Sequence, residues 1–150
     1  MSSGSFTNNK NGPGFRLTYN KKLERYNFVV ETKRRRWLLY IHCPKSTWVH
    51  MTFMWQRTRG LTYYENGNLS IINRNPLVIT TNTNNPSPEI NIARPYDLLQ
   101  INNFGKLEIT QFAIWMQLLT ISNVWEVYAR SVENDQDANI CCYFKKGKRY

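Results

Sequence analysis

The chain lacks most of what anchors, crosslinks or catalyses. No run of 18 or more apolar residues occurs, so no transmembrane helix is encoded. Its first residues, MSSGSFTNNKNGPG, carry no apolar stretch, so no secretory signal is visible in them. Cysteines number three: Cys43 stands alone, Cys141 and Cys142 are adjacent, and no C-x-x-C spacing exists. Neither a zinc site nor a disulfide framework is supported. His42 and His50 are the only histidines, no triad surrounds them, and both read as structural. The ten acidic residues are scattered, without the closely spaced carboxylates that a glycosidase places across the sugar bond. No enzyme is expected. RRM, KH and zinc-finger patterns are absent, as are internal repeats.

What is present is globular and basic. A hydrophobic content of 41% and an aromatic content of 14% over 150 residues are enough for one domain with a real core. Twenty Lys and Arg face ten Asp and Glu, a net charge of +10. That excess favours anionic partners: acidic glycans, nucleic acid or an anionic membrane surface.

The clearest local structure lies in Trp48 to Gly67, WVHMTFMWQRTRGLTYYENG. Val49, Met51, Phe53 and Trp55 alternate with His50, Thr52 and Met54, which predicts a strand with the first four on one apolar face. Residues 56–59 are polar and end at Gly60, a hairpin loop; Asn66-Gly67 is a second turn, since both residues tolerate positive φ. Further strands are predicted over 15–19, over 24–31 with Tyr26, Phe28 and Val30 on one face, and over 36–41, 69–72, 77–81, 89–94 and 107–115. Residues 20–23, 82–88 and 96–105 read as turn or loops. Ile121, Val124, Trp125 and Tyr128 recur at helical spacing, predicting a helix over 120–129 capped by Thr120 or Ser122. Trp48, Trp55, Trp115 and Trp125 are assigned to the core. Tyr19, Tyr26, Trp37, Tyr40, Tyr63 and Tyr64 are read as cross-strand packing in preference to base stacking.

The order of these pieces carries a resemblance. Trp48-Val-His50, the alternation to Trp55, Gly60 and Tyr64-Glu-Asn-Gly67 resemble the central hairpin of laminin-G-like and pentraxin-like domains of the concanavalin-A-like group. INIARP at Ile90 to Pro95 resembles the strand before that family's last loop. LEITQFAIW at Leu107 to Trp115, with Leu118-Leu-Thr120 and Val124 to Tyr128, resembles its closing strand and short helix. The family usually has Gly where Ala93 stands and Asp where Thr110 stands. The resemblance implies an all-β fold, an antiparallel jelly-roll β-sandwich with one short C-terminal helix. Residues 1–14 then read as a disordered leader, 15–130 as the domain and 131–150 as a polar, basic tail. An extracellular address is also implied, with the signal lying upstream. So is calcium bound by loop carboxylates, yet only Glu89 and Asp97 stand near that loop, too few ligands for a site. No cofactor and no metal are expected.

Lys33-Arg34-Arg35-Arg36 is the densest basic cluster, suited to bidentate contact with sulfate or phosphate. Lys21, Lys22 and Arg25 precede it and are expected to join it in one patch. Lys145 to Arg149, KKGKR, reads as tail. Asn68-Leu69-Ser70 is the one N-glycosylation sequon, making Asn68 the expected acceptor in a secreted chain. The functional expectation is a non-enzymatic extracellular recognition or adhesion module for acidic glycans or a protein ligand. The alternative is an intracellular basic nucleic-acid-binding protein.

Overall fold

The computed structural model describes residues 2–3, 6–7, 10–11, 13–20, 22–42, 47–80, 90–91, 107–109, 113–115, 117–133 and 143–146. In chain order the elements are β1 (Ser2–Ser3), β2 (Phe6–Thr7), β3 (Lys10–Asn11), β4 (Gly14–Asn20), β5 (Arg25–Glu31), β6 (Arg35–Ile41) and β7 (Val49–Gln56). Then follow β8 (Gly60–Glu65), β9 (Asn68–Asn73), β10 (Leu77–Val78), β11 (Ile90–Asn91), β12 (Leu107–Ile109), α1 (Ile121–Glu133) and β13 (Tyr143–Lys146). The fold is mainly β, with antiparallel pairing in two larger sheets and one short helix near the C-terminus. The chain divides into two compact units, Met1–Cys43 with Asn73–Lys106 and Pro44–Ile72 with Leu107–Tyr150.

The first unit holds the sheet β10-β6-β5-β4-β1-β11. Its centre is a meander in which Leu17 faces Phe28, Phe28 faces Leu39, Val30 faces Trp37 and Tyr26 faces Ile41. Directly opposed residues share a face. One face therefore gathers Leu17, Phe28, Val30, Trp37, Leu39 and Ile41, all buried. Each contributes about 1.5–3 kcal/mol by leaving water. The alternate positions put Arg16, Asn27, Glu31, Arg36 and Tyr40 on the other face. The β4–β5 turn is an Asx turn in which Leu23 N donates to Asn20 Oδ1 at 3.0 Å. Beyond β10, the Asn73 side chain continues the edge of β6 by donating from Nδ2 to Leu38 O at 3.0 Å.

The second unit holds β12-β13-β7-β8-β9. The β7–β8 hairpin runs from Met51 opposite Glu65 to Gln56 opposite Gly60. Arg59 N donates to Gln56 O at 3.2 Å, and Gly60 has φ 89°. Asn66 and Gly67 have φ 50° and 77°, the paired left-handed conformations of a two-residue hairpin turn. Leu61, Tyr63 and Val124 are fully buried, and Phe53 stacks on Tyr63 at 5.2 Å. α1 begins with a reciprocal cap: Asn123 N donates to Thr120 Oγ1 at 3.1 Å and Thr120 N donates to Asn123 Oδ1 at 3.1 Å. The helix then sits over the Asn66-Gly67 turn. A Cβ at Gly67 would meet Tyr128 Cδ1 at 3.0 Å.

Several expectations are corrected. The four tryptophans assigned to the core, Trp48, Trp55, Trp115 and Trp125, are 41%, 37%, 41% and 46% exposed. Trp48 precedes β7, Trp55 lies beside its terminal loop and Trp125 overhangs the hairpin turn, so each sits at the margin of the packed region. Trp37, at 1%, is the buried one. β7 does not bury one face alone: Val49, His50, Met51 and Thr52 are all buried, because Tyr128 of α1 packs on the His50 side with ring centroids 5.6 Å apart. The cross-strand packing expected of the tyrosines is found where Tyr19 meets Tyr26 across β4 and β5 with ring centroids 5.0 Å apart, though Tyr19 and Tyr40 are exposed and Tyr63 and Tyr64 are buried. Among the described residues of the strand expected over 107–115, Leu107–Ile109 is paired and residues 113–115 are not strand. The tail contributes structure, since α1 runs on to Glu133 and Tyr143–Lys146 forms β13 between β12 and β7. Within the segment read as a leader, Ser2–Ser3, Phe6–Thr7 and Lys10–Asn11 pair as short strands, and Gly14 opens β4. The meanders β4–β5–β6 and β7–β8–β9 each keep consecutive strands in one sheet. The loops expected over 82–88 and 96–105 lie outside the described residues, as do the cysteines, Glu89, Ala93 and Asp97.

Candidate anion-binding site

The β5–β6 turn builds the candidate site. Thr32 N donates to Arg35 O at 2.8 Å, and Arg35 N donates to Thr32 Oγ1 at 3.1 Å. These bonds close a loop with Lys33 and Arg34 at its tip. Ile79 N donates to Arg34 O at 3.0 Å, and β10 pairs Leu77 with Arg36 and Val78 with Arg35. The cluster is therefore a braced turn. Lys33, Arg34 and Arg35 are exposed, and none is ion-paired among the described residues.

Arg36 behaves differently. Its Nε donates to Glu31 Oε2 at 2.8 Å, and Arg16 Nη2 donates to the same oxygen at 3.2 Å. Glu31 is 5% exposed, so its carboxylate needs those two cations to replace lost water. Arg16 was not among the candidate residues in the sequence. Its signal was register: Arg16 faces Val29, which puts it on the same sheet face as Glu31 and diagonal to it. With Arg16 included, this end of the sheet holds five basic side chains and one carboxylate among the described residues.

Lys22 and Arg25 do not join that patch, and Lys21 lies outside the described residues. Arg25 pairs with Asn20 at one end of β5, while Glu31 pairs with Arg36 at the other. The seven residues of β5 separate the two turns by roughly 20 Å. Consecutive hairpin turns fall at opposite ends of their shared strand, so the single patch is replaced by two sites. At the far end Lys22 is exposed, while the Arg25 guanidinium lies 3.6 Å from the centre of the Tyr40 ring.

Charge is also divided unequally. The first unit carries twelve Lys and Arg against four Asp and Glu, and the second eight against six. In the second unit Lys145 and Lys146 lie in β13, and Arg130 pairs with Glu126 on α1. Asn68 is exposed at the start of β9 and donates from Nδ2 to Asn66 O at 3.1 Å. His50 N donates to Asn66 Oδ1 at 2.9 Å, and burial holds the imidazole pKa down at about 4. His50 is thus a neutral packing group near pH 7. Among the described residues no three His, Cys, Asp or Glu side chains converge as a metal site, and no helix is long and apolar enough to cross a membrane.

Comparison with protein-family models, with curated proteins and with solved structures gives no match.

Proposed function

We propose that the chain is a non-enzymatic, extracellular recognition module that binds acidic glycans through Lys33, Arg34 and Arg35. The observation that carries this reading is the braced turn, which holds three exposed cations with no acidic partner among the described residues. Sulfate and carboxylate groups on a flexible polymer suit such a turn, because guanidinium groups bind them in bidentate fashion and the turn is ordered before contact. The laminin-G-like or pentraxin-like resemblance and its jelly-roll sandwich belong to the same proposal. Two mainly antiparallel sheets and a late helix fit it, and the meander order of the strands is what it must accommodate. N-glycosylation at exposed Asn68 fits the same address.

Heparin affinity chromatography tests the reading. A Lys33→Ser, Arg34→Ser, Arg35→Ser variant should elute at clearly lower salt than the parent, with an unchanged unfolding midpoint. Unchanged elution removes the turn from the ligand site.

One observation favours the second reading, nucleic acid. Tyr40 is 46% exposed and shares a sheet face with Arg16, Arg25 and Arg36, an aromatic among arginines as on single-strand binding sheets. A gel-shift titration with single-stranded RNA separates the two. Binding that survives moderate salt and is lost in Tyr40→Ala supports nucleic acid; binding that vanishes as salt rises and ignores Tyr40 does not.

A further inference from the structure

We propose that the sheet face carrying Arg16, Arg25 and Arg36 is a track along which one extended acidic glycan lies, reaching from the β5–β6 turn to the β4–β5 turn. The proposal rests on the glycan reading of the Lys33 turn. It adds a path and a minimum ligand length, since the seven residues of β5 span roughly 20 Å.

Register lays the track out in rows. Glu31 faces Arg36; Arg16 faces Val29, which faces Leu38; Thr18 faces Asn27, which faces Tyr40; Asn20 faces Arg25. Directly opposed residues share a face, and each row lies two residues along the strand from the next. Thr18 and Tyr40 are exposed, and Asn27, Val29 and Leu38 are half-buried, so water reaches the middle of this face.

Charge selects a polyanion. The described part of this face of β4, β5 and β6 carries three arginines and a single carboxylate, Glu31. That carboxylate is engaged by Arg36 Nε at 2.8 Å and Arg16 Nη2 at 3.2 Å. Arg36 is thereby held by its Nε, while its two Nη groups make no hydrogen bond among the described residues and its side chain is 40% exposed. The outer edge of the guanidinium is a fork for sulfate or carboxylate, set in place next to Lys33, Arg34 and Arg35. Lys22 and Arg25 supply cations again at the other end, where Glu24 in the same turn makes the weaker grip.

The rows between favour a sugar chain over a nucleic acid. Thr18 and Asn27 offer a hydroxyl and an amide to sugar hydroxyls, and Val29 and Leu38 offer apolar surface to the C–H faces of the rings. Tyr40 is the one aromatic on this face of β4, β5 and β6, and Arg25 already covers one side of its ring at 3.6 Å. Sheets that bind single strands stack successive bases on several aromatics.

Isothermal titration calorimetry tests the track with a heparin tetrasaccharide, too short to reach both turns, and a dodecasaccharide, which spans them. Thr18 faces Asn27, four residues along β5 from Glu31 and so roughly 13 Å from the strong end. A ligand held at the Lys33 turn alone is screened from a charge there at physiological salt. Thr18→Glu should therefore weaken the dodecasaccharide about tenfold or more and leave the tetrasaccharide within about twofold of the parent. Thr18→Gln, of the same size and uncharged, should bind both like the parent, and matching unfolding midpoints show that both variants fold. A Thr18→Glu chain that binds the dodecasaccharide like the parent overturns the track and leaves the turn reading standing. So does unchanged dodecasaccharide affinity in a Lys22→Ser, Arg25→Ser variant. Tetrasaccharide binding that ignores Lys33→Ser, Arg34→Ser, Arg35→Ser defeats the turn reading, and the track with it. Single-stranded RNA that displaces the dodecasaccharide at physiological salt and needs Tyr40 gives the face to nucleic acid, which also overturns the proposal.

Discussion

Glu31 in the first unit and His50 in the second are both ionisable, both on a sheet and both nearly inaccessible, at 5% and 2% exposure. Their neighbours differ. Glu31 accepts from Arg16 and Arg36 through one oxygen. His50 packs against Tyr128 and gives up its charge, with a pKa lowered to about 4. One unit buries a charge by surrounding it with the opposite charge, and the other buries a group that can be neutral. The same choice is written at larger scale, since the basic excess sits in the first unit and the helix-covered packing in the second. A chain with twice as many basic as acidic residues has cations to spare for a buried carboxylate, but no such reserve of anions for a buried imidazolium.

Acid should break the comparison on the side of His50. The unfolded chain takes up the imidazole proton near pH 6.5, and the folded chain only near 4. Stability should therefore be lost as pH falls through that window, by about 3 kcal/mol, and level off below it. Urea midpoints at a series of pH values measure this. In His50→Phe the part of the slope between pH 6.5 and 4 should disappear; persistence of the full slope would assign it elsewhere.

Removing the carboxylate attacks the other side. Glu31→Ala should cost about 2–3 kcal/mol, less than a fully buried pair would, because the Arg36 side chain remains 40% exposed. Replacing Arg16 and Glu31 together with Met and Leu should recover more than half of that loss. Equal losses in the single and double variants would mean that the ion pair is not what the site is built around.

A smaller effect separates the turns of the two units. Gly67→Ala should cost about 2 kcal/mol, from its φ of 77° and the Tyr128 ring at 3.0 Å. Neither Lys33 nor Arg34 has positive φ, so Ala at either should change stability by no more than about 0.5 kcal/mol. Thermal unfolding of the three variants makes the test, and a Gly67→Ala chain as stable as the parent would show that the helix yields at that contact.

The strands β4 to β9 were legible because alternation, Gly60 and Asn66-Gly67 act within a few residues. The cap at Thr120 was legible for the same reason, with Asn123 completing it. Features that depend on register or on a distant partner were not. Arg16 and Glu31 lie 15 residues apart and meet only because β4 and β5 pair as they do. The tryptophans misled because size predicts burial on average, whereas Trp48 and Trp55 flank or end a strand whose centre is the packed part. YFKK reads as tail because its two lysines and brevity hide a strand whose pairing is supplied by β7. The separation of Arg25 from the Lys33 cluster needed no structure, only the rule that successive hairpin turns alternate ends.

The place of β13 has a consequence for synthesis. This late strand is inserted between β12 and β7, pairing Tyr143 with His50 and Phe144 with Val49. Tyr143 and Phe144 are translated more than 90 residues after His50 and Val49, and until they arrive that margin of β7 has only water or a stray chain to bond with. Over that interval the nascent protein carries an open strand margin. Self-capture at that margin is the hazard against which a chaperone would be needed.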